Sequence, residues 1–162
     1  MPTDERVTRA SLSRRLKPIS APHRLPLLPE RVWSDAEWER ISLGYRARDM
    51  DEKWNVFTEG DVVHVHRSWT GFGMYEATFA PVEGGGRRIA AALAERDPER
   101  YRNDDDTYDG LMLELVLSAI VLGEPADELR QRLVESARAR AKDPTVSGGL
   151  VQHSVLGLRS DA

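Results

Sequence analysis

The chain has 162 residues, 40% hydrophobic and 31% charged, which fits one globular domain with room for a real core. It holds no cysteine, excluding disulfides, thiolate chemistry and cysteine-ligated zinc, and no apolar run approaches the roughly 18 residues of a membrane span. The net charge of -4 disfavours nucleic acid as the main partner, and the lack of an apolar signal core at the N-terminus predicts a cytoplasmic protein.

Residues 1–30 read as a basic arm, flexible or docked through Leu25, Leu27 and Leu28, because RVTRASLSRRLKPISAPHR carries no sustained apolar period and prolines interrupt LPLLPE. Ser34 followed three residues later by Glu37 is a capping box, predicting a helix over about 35–46. The period then changes. Valine, aromatic and threonine residues alternate between breaks at EGD, TGFG and EGGG, predicting antiparallel strands over about 53–58, 62–69 and 73–81. Trp54 and Val56 share a face, as do Val63, Val65, Arg67 and Trp69, and Tyr75, Ala77 and Phe79; His64, His66 and Ser68 face the other way.

The run RRIAAALAE satisfies two readings: its alanines suit a helix, while Ile89, Ala91 and Leu93 alternate after a Gly-rich turn. The clearest helix spans about 107–122, apolar nearly all round and therefore buried, with Asp105 or Asp106 as its cap and Asp109 in the first turn. Gly123 stops it, and Pro125 starts an amphipathic helix through about 141, with Leu129, Leu133, Val134 and Ala137 inward. The fold class expected is α+β: an antiparallel meander of three to four strands packed against a buried helix, with flanking helices. Residues 31–142 form the single domain and 143–162 a C-terminal tail.

The segments RDMDEKW, HRSWTG, MYEATF, ERDPERY and DDDTYDGLMLELV occur in this order between about residues 45 and 123. Together they resemble a family of small bacterial proteins and domains built around Met-x-x-Lys-Trp and His-Arg-Ser-Trp-Thr-Gly motifs, with no activity attached to it. The resemblance implies a sheet of about four strands followed by a buried helix, and so favours a strand over 87–94. Similar segments accompany ADP-ribosyl-hydrolase-type domains in longer chains, which implies an association and not a mechanism.

Chemistry concentrates in HVHRSWTG. His64 and His66 lie on one strand face, but zinc needs a third ligand, and only His23 and His153 remain, both in the terminal segments. A polar outer face explains the two histidines. Arg67 shares parity with core residues, and a buried arginine requires a partner. Asp49, Asp51, Glu76 or the cluster Asp104, Asp105, Asp106 and Asp109 could pair with it; alternatively Arg67 lines a pocket that takes an anion bidentately. Trp69 is either core or a stacking platform, and Thr70-Gly71 makes a turn. VEGGGRR lacks the P-loop pattern and reads as a hairpin turn, and the aspartate cluster lacks calcium-loop spacing and reads as a helix cap. No nucleophile elbow or paired-carboxylate site is present, so no catalytic residue, metal or cofactor is nominated.

These readings point to a non-catalytic binding or accessory domain that holds a small anionic molecule or a protein segment at Lys53, Trp54, His66, Arg67, Trp69 and Thr70. The alternatives are an enzyme or enzyme partner in nucleotide or ADP-ribose metabolism, and an antitoxin- or immunity-like protein–protein module. No membrane partner is expected.

Overall fold

The computed structural model describes residues 6–12, 16–49, 51–101, 105–141 and 156. Met50, Asp104, His153 and the tail 143–162 apart from Leu156 therefore lie outside the described residues. The elements in chain order are α1 (Arg9–Leu12), β1 (Pro22–Arg24), α2 (Asp35–Leu43), β2 (Trp54–Glu59), β3 (Val62–Arg67), β4 (Gly73–Pro81), β5 (Arg87–Glu95), α3 (Asp106–Leu115) and α4 (Asp127–Ala141). A π-helical stretch, Val116–Val121, continues α3. No helix among the described residues is long and apolar enough to cross a membrane.

The α+β class is as the residue patterns imply, but the sheet has five strands, in the order β1-β5-β4-β3-β2, all antiparallel. The extra strand is β1, inside the arm, where Pro22, His23 and Arg24 pair with Glu95, Ala94 and Leu93. Three residues between prolines show no period, so sequence alone gives no strand signal there. The alanine-rich run is β5. Its place beside β4 outweighs its helix propensity, a weak intrinsic preference of a few tenths of a kcal/mol per residue.

Pairing register assigns the two faces. Val56, Val65, Tyr75 and Ala94 align across β2, β3, β4 and β5, and all four are buried. They pack with Leu113, Leu115, Val116, Leu117 and Ile120 into one core. The opposite row is Phe57, His64, Glu76 and Leu93, on the face where His64 and His66 are expected to make a polar, half-exposed surface. The face is covered in part: Phe57 is fully buried and His66, beside it, is 4% exposed, while His64, Glu76 and Leu93 are half-buried. The arm lies over it, with Arg9 paired to Glu59 at 2.8 Å and seated above the Phe57 ring at 5.0 Å. On the other face Leu25 is buried in the main core, Leu28 packs partly against it, and Leu27 stays exposed.

Local sequence accounts for most of the boundaries. Ser34 and Glu37 form the reciprocal capping box of α2. Asp105 caps α3 by accepting from the Tyr108 N–H. Gly44 ends α2 at φ +82°, where a Cβ would stand 2.4 Å from the Val56 carbonyl oxygen, so glycine is required on both counts. Arg31 ties the layers together: its guanidinium bonds Glu37 on α2 and Glu124 and Ser118 at the end of the buried helix. That arginine holds the Glu124 carboxyl below the usual glutamate range.

Candidate functional site

The hexapeptide HRSWTG closes a loop. β3 ends at Arg67, and the Arg67 N–H donates to Phe72 while the Gly71 N–H donates to Arg67, at 2.9 and 3.0 Å. The His66 ring, on the covered face, donates from Nδ1 to the Gly71 carbonyl at 2.9 Å. Burial pushes its pKa below the ordinary value of 6.5, so the neutral ring that makes this bond is favoured. Ser68 anchors the loop to the neighbouring strand through the Lys53 and Glu52 carbonyls. Thr70 accepts from the Phe72 N–H. Because the strand stops at Arg67, parity no longer places Trp69 inward. It is 54% exposed and stacks with Lys53, whose Nζ lies 4.4 Å from the ring centroid.

On the core side of this loop lies a cavity of about 350 Å³. Trp54, Arg67, Phe72, Tyr75, Arg100 and Tyr101 give it an aromatic wall with two guanidinium groups, Thr70 stands in the lining, and Met112 of α3 contributes from the helix layer. Of the six candidate residues, the fold therefore gathers Trp54, Arg67 and Thr70 into one concavity. Lys53 and Trp69 pair with each other apart from its lining, and His66 serves the opposite face.

The Arg67 guanidinium lies over the Trp54 ring at 4.7 Å, a cation–π placement inside an apolar wall. Burial lowers its pKa, against the opposing pull of Tyr75, Tyr101 and Tyr108. Arginine nevertheless remains charged in proteins and carries five N–H donors. Three of the carboxylates considered as its partners make the following contacts. Asp109 meets Arg96 at 2.6 Å, Asp106 bonds Arg96 and His23, and Glu76 lies near His64. Arg100 lies over Phe72 at 4.6 Å and donates to the Pro18 carbonyl.

Behind the wall stands a buried hub that sequence reading missed. Asp109 is fully enclosed and accepts from Tyr101 Oη at 2.7 Å and Tyr75 Oη at 2.9 Å, in addition to its ion pair with Arg96. Burial pushes the Asp109 carboxyl up, opposed by Tyr101, Arg96 and Tyr75. Burial and then Asp109 raise the Tyr101 phenol well above its usual value, so it keeps its proton at neutral pH. The aspartate position alone suggested a helix dipole partner. Nothing in the chain order announces that residues 75, 96, 101 and 109 meet. VEGGG forms the β4–β5 turn, as its glycines imply. The sequence matches no family model, no curated protein and no solved structure.

Proposed function

We propose that the chain is a non-catalytic binding or accessory domain whose cavity holds a small molecule with a flat apolar body and an anionic group. The observation that carries this reading is the presence of Arg67 and Arg100 together in a wall otherwise built of aromatic rings. Guanidinium forks match carboxylate and phosphate oxygens, and rings offer stacking area to a planar body. The volume, about 350 Å³, sits near the lower end of the roughly 300–1,000 Å³ typical of ligand pockets. That favours a single ring bearing a carboxylate or phosphate over the two-ribose length of ADP-ribose.

The Tyr101–Asp109 pair is the feature an enzyme reading would draw on. Its chemistry supports binding better. The carboxylate already accepts from both phenols at Oδ1 and is ion-paired to Arg96 through Oδ2, and the phenol holds its proton, so neither is poised as a base.

A thermal-shift panel of benzoate, phenyl phosphate, nucleoside monophosphates, NAD and ADP-ribose tests the proposal. A ligand at about a hundred times its dissociation constant adds roughly 2.7 kcal/mol, or about 5–11 °C for a chain of this size. Folded Arg67→Ala and Arg100→Ala variants are expected to lose that response. If no flat anion stabilises the protein, or both variants respond as wild type does, the proposal is wrong.

A further inference from the structure

The cavity wall is not held by the domain core alone. Phe72 and Arg100, which line it, are both fastened to the N-terminal arm. Lys17 bridges Phe72, donating its N–H to Gly71 and accepting from the Gly73 N–H, at 2.9 and 2.8 Å, and its Nζ lies 5.3 Å from the Phe72 ring centroid. Arg100 Nη1 donates to the Pro18 carbonyl at 2.9 Å. Ser20 and Ala21, two and three residues further on, are captured by one carboxylate. Glu95, fully buried, accepts from the Ser20 and Ala21 N–H groups at 2.7 and 2.8 Å. It also accepts from the Arg96 and Asp97 N–H groups at 3.0 Å, and Arg100 stands 3.8 Å away. Burial alone would raise its pKa, but these amides outweigh burial and hold it below the usual glutamate range.

We infer that Glu95 is a positioning residue for the ligand site: by holding residues 18–21 of the arm it fixes Arg100 and Phe72, so that arm docking and anion binding are coupled. This rests on the binding role proposed for the cavity. An arginine on a long flexible stem loses rotamer freedom when it captures an anion, and a carbonyl that already orients the guanidinium reduces that loss. Linkage makes the coupling reciprocal: whatever the arm contributes to affinity, the bound anion returns as protection of the arm.

Two variants release the arm from different sides. Glu95→Gln removes the charge that gathers the amides. Gly73→Ala places a Cβ 3.1 Å from the Ile19 nitrogen, 3.2 Å from the Lys17 carbonyl oxygen and 3.3 Å from the His66 ring, crowding the arm's backbone while leaving the Glu95 and Arg100 side chains unsubstituted. Amide hydrogen exchange at Ser20, Ala21 and Gly73 reads docking. Titration with phenyl phosphate, followed by the Arg100 Nε–H resonance, reads the site. In wild type, saturating phenyl phosphate is expected to slow arm exchange at least fivefold. Both variants are expected to exchange at least tenfold faster and to bind phenyl phosphate at least fivefold more weakly. If arm exchange rises while affinity stays within twofold, the coupling is refuted and the binding site stands. If wild type binds neither phenyl phosphate nor any other flat anion of the thermal-shift panel, the cavity reading falls and takes the coupling with it.

Discussion

Replacing Asp109 by asparagine should cost the fold about 2–3 kcal/mol. The carboxylate is fully buried, and its Oδ2 meets the Arg96 guanidinium at 2.6 Å. Breaking one partner out of a buried ion pair typically costs about 3–5 kcal/mol, because the other charge is left uncompensated. Here the loss is smaller, since Arg96 keeps Asp106 at 2.7 Å and its side chain is 14% exposed. The asparagine oxygen can still accept from Tyr75 or Tyr101, so those bonds weaken without vanishing. Urea denaturation measures the loss, and the melting point should fall by about 4–12 °C for a chain of this length. Tyr101→Phe should cost only about 1 kcal/mol, because Tyr75 continues to donate to the same oxygen. The double variant should then be less destabilised than the sum of the two. An Asp109→Asn loss below about 0.5 kcal/mol at an unchanged denaturant slope would refute the hub as a source of stability.

The glycines should separate by geometry. Gly44→Ala, with φ +82° and a Cβ forced to 2.4 Å from the Val56 oxygen, should lose more than about 2 kcal/mol, whereas Gly60→Asn, at φ +62° with nothing within 4 Å, should stay within about 1 kcal/mol; equal urea midpoints would contradict this. Ser34→Ala removes one half of the capping box and should cost about 1 kcal/mol in the same assay, and an unchanged midpoint would deny the cap its role. Burial holds both His64 and His66 below their ordinary 6.5, so the unfolded chain takes up their protons first. The stability they contribute is present above pH 6.5 and declines as pH falls toward the lowered values, before the carboxylates Glu59, Glu95 and Glu124 come into play below about 4.5. His66→Asn, which can still donate to Gly71, should flatten the urea-midpoint profile between pH 7 and 5; an unaltered slope would remove His66 from that account.

Periodicity carried most of the sheet. β2, β3 and β4 alternate over six to nine residues, long enough for a period of two to stand out, and the inward Trp54, Val56, Val63, Val65, Tyr75, Ala77 and Phe79 are all buried. The buried helix was equally legible, because a helix apolar on every side has only the core to occupy. What the sequence withheld depends on tertiary pairing. β1 is three residues long. Trp69 changes sides because β3 stops two residues before it, a boundary within the usual error of strand ends. The histidine face looked solvent-facing because its cover comes from residues some fifty positions upstream, such as Arg9 on Glu59. Of the candidate site, Arg67 and Trp54 were reachable from their shared strand face. Arg100 and Tyr101 were not, since ERDPERY carries no period that points them anywhere.

The short strand β1 has a further consequence for how the molecule keeps to itself. β5 would otherwise end the sheet as a nine-residue row whose six central residues, Ile89 to Ala94, carry no charge to repel a second chain. The arm occupies that rim at one end, through Pro22–Arg24 and the Leu25 N–H on the Ala92 carbonyl, and Trp33 exchanges two backbone bonds with Arg87 at the other. A chain shortened past residue 24 would leave Leu93, Ala94 and Glu95 without their partners on that rim, an edge able to recruit copies of itself. Pairing through Pro22–Arg24 thus closes part of an edge that could otherwise add strands from a second chain, and such a truncation is expected to lower solubility.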